Sequence, residues 1–313
     1  MATTFVTLVD LSFTKNNTWQ DVDCSAYIPA TATGVLLDVI ISGADLNAGV
    51  RKNGSTNNNY GQYSPASAAH TFMCIGVDGS QIFEAIAESA SVSIILHGYT
   101  EDEATFFTNS ITKTISGSGV WEDINISADT GANTATAAIF LFYSNGNAGS
   151  GGWYHRDNGS TDNVLSGGRA QGIQCQIIGV DGSEICEGYA QFASYVNRYL
   201  VGYFTSEITM SVNATDVSLG STGSYVDLPT QAGASGIIYF VNVHGNAYMW
   251  NIRENGSSSD DYYDGLASLS SSFVKCSSSG VCEGKIENVS VDFYQQGYFN
   301  GGATKRFFIC NHI

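Results

Sequence analysis

The chain states one pattern three times at a spacing of about a hundred residues, and a period of that length decides the architecture before any single motif can. Each copy begins with an aromatic and an acid: Trp19 and Asp21, Trp121 and Asp123, Tyr225 and Asp227. Arg-x-Asn-Gly-Ser follows at Arg51, Arg156 and Arg253, then an apolar strand carrying Glu84, Glu187 or Glu283, then Gly98-Tyr99, Gly202-Tyr203 or Gly297-Tyr298. Cutting after the Gly-Tyr pairs gives units of residues 1–104, 105–207 and 208–313, each the size of an ordinary domain. After the last pair, Ala303-Thr304 repeats the openings Ala2-Thr3 and Ala104-Thr105, so the chain closes with the first strand of a partial fourth repeat, Ala303–Cys310. Such a strand needs a hydrogen-bond partner, on its own third unit or on a neighbouring chain.

Within a unit the pattern is that of strands. Residues 34–41, 138–143 and 237–241 are short β-branched or aromatic runs bounded by Gly, Asn and Ser, and no stretch carries a sustained helical stripe. Asn53-Gly54, Asn158-Gly159 and Asn255-Gly256, with Asp78-Gly79 and Asp181-Gly182, predict type I′ hairpin turns. The expected fold class is all-β: three tandem β-sandwich modules, jelly-roll or Ig-like, a choice local pattern leaves open.

Charge excludes some partners. Acids outnumber bases in every unit, 11 to 3, 9 to 4 and 9 to 5, for a net charge of -17. No basic stripe exists to follow a phosphate backbone or an anionic membrane, so no nucleic acid and no membrane insertion are expected. The amino terminus lacks a basic region followed by an apolar core, which predicts folding in a host cytoplasm without a signal peptide. Seven cysteines at mostly unrelated positions predict buried free thiols; only Cys186 and Cys282 are equivalent, with Phe83 in their place in the first copy.

The recurring acid, Arg and Glu set (Asp21, Arg51, Glu84; Asp123, Arg156, Glu187; Asp227, Arg253, Glu283) predicts a structural ion pair in each copy, Arg to one of two acids. A ligand site written three times is the rival account of the same residues. The acid runs Glu101-Asp102-Glu103 and Asp260-Asp261 with Asp264 are expected as solvated loops. His70, His97, His155, His244 and His312 show no metal-ligand spacing, and neither a metal nor a cofactor is expected. Aromatics in polar segments remain: Tyr60, Tyr63, Trp153, Tyr154, Trp250, Tyr262 and Tyr263. Flat rings beside Asn, Asp and Gln suit stacking on a sugar face, and packing between units suits them equally.

Taken together, Trp19-Gln20-Asp21, Arg51 to Thr56, Gly76-Val77-Asp78-Gly79 and Gly98-Tyr99, with Gly179-Val180-Asp181-Gly182 in the second copy, resemble the tandem β-sandwich modules of structural proteins in tailed bacteriophages. The third copy departs from the pattern, with Cys276-Ser277-Ser278-Ser279 replacing Val-Asp-Gly-Ser. The resemblance implies a non-enzymatic virion component on the particle surface: a capsid decoration protein, head fibre or tail appendage. It implies other virion proteins as partners and a homo-oligomer, such as a trimer. A glycan-binding adhesin recognising a host surface sugar is the alternative, and a polysaccharide-degrading enzyme the third.

Overall fold

The computed structural model describes residues 3–43, 46–63, 69–131, 134–144, 152–163, 172–229, 231–244, 248–258, 263–265 and 269–301, and for 62, 63, 144, 263–265, 269 and 270 it gives the backbone. The first unit contains β1 (Thr4–Asp10), β2 (Gln20–Asp23), β3 (Gly34–Ile41), β4 (Leu46–Lys52), β5 (Gly61–Tyr63), β6 (Ala69–Gly76), β7 (Ile82–Ala87) and β8 (Val92–Thr100). The second contains β9 (Ala104–Thr112), β10 (Trp121–Asn125), β11 (Ala137–Ser144), β12 (Trp153–Asp157), β13 (Gly172–Gly179), β14 (Ile185–Ala190) and β15 (Val196–Phe204). The third contains β16 (Ile208–Asp216), β17 (Val226–Asp227), β18 (Ala234–Val243), β19 (Tyr248–Glu254), β20 (Tyr263–Gly265), β21 (Leu269–Lys275), β22 (Cys282–Ile286) and β23 (Val291–Asn300). One short helix, α1 (Ser127–Thr130), and a 3-10 turn at Ala193–Tyr195 lie on connections.

Sheet order resolves the choice that local pattern left open. The first unit pairs as β1-β8-β3-β6 and β2-β7-β4-β5, and the third as β16-β23-β18-β21 and β17-β22-β19-β20. The second pairs as β9-β15-β11-β13 and, among the described residues, β10-β14-β12. The chain switches sheet at nearly every connection and its last strand lies beside its first, which is jelly-roll topology rather than Ig-like.

The turn chemistry differs from the sequence-based expectation. Gly54, Gly159 and Gly256 have φ of 76°, 83° and 80°, but the preceding Asn residues do not share the left-handed region, so these are not type I′ turns. Ser55 N donates to Lys52 O at 3.1 Å, closing a turn with Gly at its third position, as in type II. At Asp78-Gly79 and Asp181-Gly182 the left-handed residues are Gln81 (φ 61°) and Glu184 (φ 59°), with Gly280 (φ 75°) in the third unit. The physical reason is shared: β6 and β7 lie in different sheets, and β4 reaches β5 only after eight further residues, so neither turn closes a two-residue hairpin.

The three jelly rolls close into a ring about a local threefold axis. The edge strands β6, β13 and β21 each pack on the other two. Phe72 meets Phe273 edge to face at 6.2 Å, and Cys74 N points at Cys175 Sγ at 3.4 Å. Each opening strand then inserts a side chain into its neighbour in the same rotational sense. Phe106 lies where a Cβ on Gly34 or Gly76 would stand, Met210 does so at Gly179, and Phe5 at Gly236. The last of these joins the third unit back to the first. Because the sheets facing the axis are covered on both sides, residues 34–41 and 234–243 are buried almost throughout. That is why these strands read as continuous apolar runs rather than alternating ones.

The ring has two unlike ends. At one end Thr3 Oγ1 donates to Glu103 Oε1 (3.1 Å), Thr205 N to Glu103 O (2.9 Å) and Asn300 N to Glu207 O (2.9 Å). Ser235 Oγ lies 3.4 Å from Thr3 O and 3.3 Å from Phe299 O, so the first and last described strands meet there with both inter-unit junctions. The opposite end carries the connections β1–β2 and β7–β8 and their counterparts β9–β10, β14–β15, β16–β17 and β22–β23.

Candidate functional site

The recurring set occupies one cross-strand row in each outer sheet. Arg51 faces Glu84 and Glu84 faces Asp21; the same register places Arg156, Glu187 and Asp123 together, and Arg253, Glu283 and Asp227. Arg51 donates through Nε and Nη2 to the two Glu84 oxygens, both at 3.0 Å, in a fork-to-fork pair. Arg156 Nε lies 2.8 Å from Glu187 and Arg253 Nε 2.9 Å from Glu283. The guanidinium also lies over the aromatic two residues before the acid: Arg51 over Trp19 at 4.2 Å, Arg156 over Trp121 at 3.8 Å, Arg253 over Tyr225 at 3.2 Å.

Arg51 and Arg156 each have a further contact that explains their position beside the turn. Arg156 Nη1 donates to Asp162 O at 2.5 Å, and Arg51 Nη1 to Asn57 O, so the guanidinium fastens the segment after Asn-Gly-Ser. That segment grips the next unit. Thr56 N donates to Asn109 Oδ1 and Thr161 N to Asn213 Oδ1, both at 2.8 Å. Asp21, Asp123 and Asp227 are exposed at the row's end; Asp227 accepts from Asn255 Nδ2 at 2.6 Å. The geometry is a clasp that orders a loop and, through the loop, a unit boundary.

Burial separates the seven aromatics. Trp153 is 5% exposed and stacks on Phe142 at 4.9 Å; Trp250 is 2% exposed and packs edge to face on Phe293 at 6.2 Å. Tyr154 is 1% exposed, touching Phe240 at 4.8 Å, and its hydroxyl accepts from Gln296 Nε2 of the third unit at 3.1 Å. The expectation of exposed stacking faces is corrected for these three. Strand β12 presents Trp153 to its own core and Tyr154 to the neighbouring unit, so both faces of the strand are covered. Tyr60 is half-buried against Trp19. The side chains of Tyr63 and Tyr263 and all of Tyr262 lie outside the described residues, as do Asp260, Asp261, His312 and the strand 303–310.

The Glu101-Asp102-Glu103 expectation of a solvated loop is also corrected. Glu101 is 3% and Glu103 1% exposed, with Thr31 Oγ1 donating to Glu101 at 2.5 Å. Burial pushes the Glu103 carboxyl above its usual range, while hydrogen bonds from Glu101 N and Thr3 oppose the shift. Both acids hold the junction together. Exposed apolar residues do occur where the repeats differ: Val120 at 51%, Phe192 at 40% and Tyr195 at 36%, the last two in edge contact at 6.0 Å. Sequence reasoning passed over them. The signal was Phe192 and Tyr195 in a connection whose counterparts read Glu88-Ser89-Ala90-Ser91 and Glu287-Asn288-Val289-Ser290.

The second unit has a polar core of its own, as the first has where Asp38 meets His70. Arg198, 1% exposed, donates through Nε to His155 Nε2 at 2.8 Å, and His155 Nδ1 lies 3.2 Å from Gln176 Oε1. His155 is therefore the neutral tautomer protonated at Nδ1. Burial, reinforced by the Arg198 charge, holds its pKa well below the ordinary histidine value. Among the described residues no group of three or more His, Cys, Asp and Glu could hold a metal ion, and no helix is long and apolar enough to cross a membrane.

No protein-family model and no curated protein matches the chain. Among solved structures, a chain from the atomic structure of Sulfolobus Turreted Icosahedral Virus is similar over 96% of this chain and 91% of its own, with 12% identity and a TM-score of 0.24.

Proposed function

We propose that this chain is a non-enzymatic virion structural protein, displayed on the particle surface and acting as a trimer made from one polypeptide. The observation that carries the reading is the closed ring: opening side chains Phe5, Phe106 and Met210 fill the three neighbouring glycine sites, the last joint linking third unit to first. Interfaces that a symmetric trimer would make between chains are made here within one. The recurring chemistry serves those interfaces, and the sequence resemblance to phage structural modules points the same way. The three units are taken as residues 1–104, 105–207 and 208–313.

Antibodies raised against the folded protein test the display. They should label intact particles from a host lysate without permeabilisation; protein confined to the soluble fraction overturns the reading. The glycan-binding alternative rests on Phe192 and Tyr195, exposed at the loop-bearing end. Saturable binding on a glycan array, abolished in Phe192→Ser/Tyr195→Ser, would support it; no binding by the native chain would remove it.

A further inference from the structure

The third unit closes the connection between its two sheets differently from the other two. In the first, Asp78 Oδ1 accepts from Ser80 N (2.8 Å) and Ile82 N (3.0 Å), and Asp78 Oδ2 from Asn53 Nδ2 (2.6 Å). In the second, Asp181 Oδ1 accepts from Ser183 N (2.8 Å) and Ile185 N (3.0 Å), and Oδ2 from Asn158 Nδ2 (2.6 Å). The third has Ser277 in the place of the acid. Ser277 Oγ accepts from Val281 N at 3.2 Å, and Asn255 turns instead to Asp227. A charged clasp with three donors is replaced by a neutral one.

Cysteines flank that weaker turn. Cys276 precedes it and Cys282 follows it, with Sγ atoms 3.3 Å apart and both residues buried. Cys276 continues β21 of the sheet facing the axis, and Cys282 opens β22 of the outer sheet. The equivalent pairs are Val77 with Phe83 and Val180 with Cys186, so no other unit has both thiols. The two backbone segments are already joined, Ser277 N donating to Val281 O at 3.0 Å. Bonding requires the sulfurs to close from 3.3 Å to about 2.05 Å.

We propose that Cys276 and Cys282 are a latent disulfide site, oxidised by a small-molecule disulfide such as oxidised glutathione, which locks the two sheets of the third unit where the Asp clasp is missing. One cysteine thiolate attacks the small disulfide, breaking its S–S bond to give a mixed disulfide and one free thiol. The second cysteine then displaces the remaining small thiol and forms the protein disulfide. Two cysteines are oxidised, one small disulfide is reduced to two thiols, and the cysteine protons pass to the departing thiolates. Entry is through the turn, where Ser278 and Ser279 are exposed. The contact with Cys276 and burial both hold the Cys282 thiol protonated, so the reaction is slow.

The test is peptide mapping of the full native chain after incubation with oxidised glutathione, then denaturation and alkylation. Trypsin cleaves after Lys275 and Lys285 and puts both cysteines on one peptide, 276–285. The expected product is that peptide about 2 Da lighter, unalkylated until reductant is added, and an oxidised chain melting a few degrees above the reduced one, roughly as short-loop disulfides allow. Cys186, whose partner position is Val180, should remain alkylatable. Cys276→Ser should lose both the mass change and the oxidant-dependent melting shift. Full alkylation of the native peptide, a mixed disulfide that does not close, or pairing of either cysteine elsewhere overturns the proposal. These readouts need no variant and do not involve particle display.

Discussion

Replacing Asp157 by Asn should stabilise the protein, and increasingly so as pH rises. Asp157 ends β12 facing Gly179, its Oδ2 standing where a Cβ on that glycine would be, and it is 8% exposed. Burial, with the nearby Asp181 carboxylate adding to it, raises its pKa from 3.8 to about 6. Its counterparts are provided for: Lys52 Nζ donates to Phe106 O at 2.9 Å, and Glu254 pairs with Lys275 at 2.9 Å. A folded pKa above the unfolded one means the protonated group favours the fold below 3.8, and that contribution is lost as pH rises through about 6. A shift of roughly two units is worth about 3 kcal/mol at full strength; relaxation around a surface-near carboxylate should leave about 1–2 kcal/mol. Urea denaturation of native chain and Asp157→Asn, followed by fluorescence across about pH 4 to 7.5, measures it. The variant's gain should be small at the acid end and level off above about pH 6.5. A pH-independent gain, or destabilisation throughout, would refute the picture of a desolvated, uncompensated carboxylate.

Truncating Phe106 to Ala should cost about 3–5 kcal/mol and increase hydrogen exchange in both β6 and β9, since the ring fills space in the first unit from a strand of the second. Arg156→Lys keeps the charge but loses the planar stack on Trp121 and should cost about 1 kcal/mol, read as a lower denaturation midpoint with altered Trp121 emission. In Asp157→Asn, where the opposing protonation of that carboxylate on β12 is removed, acidification should loosen the second unit around His155 and the first around His97: both have depressed folded pKa values, so their contribution is present above the ordinary histidine value of 6.5 and lost as pH falls below it. Exchange rates in β12 and β8 that rise no faster than those in β19 would contradict this.

The repeat, the strands and the Arg-Glu pairing could be read from residue order because each depends on neighbours a few positions away or on comparison between copies. Jelly-roll topology could not, since it turns on β1 lying beside β8, ninety residues apart, and no local pattern encodes that pairing. The aromatics were legible only as a choice between stacking on a ligand and packing, for a related reason. Trp153 and Tyr154 stand in a Gly-rich, polar neighbourhood that signals exposure, yet ring closure covers the strand face a lone sandwich would leave wet. The type I′ expectation assumed that Asn-Gly joins paired strands, whereas β4 and β5 are joined by a longer excursion that reaches toward the next unit. Glu101 and Glu103 looked like a solvated run because charge alone gives no sign that the first strand and the second inter-unit junction converge on it.

Linking the three jelly rolls in one chain changes what mutation can do to them. In an assembly of identical subunits, a substitution in one loop appears at every symmetry-related position at once, so any gain on one side is accompanied by the same change on the others. Here the connections diverge separately, as Phe192 and Tyr195 opposite Glu88-Ser89 and Asn288-Val289 already illustrate. The interlocking residues stay under a common constraint at the joints. A threefold scaffold can thus carry three different faces, each free to change without asking the other two.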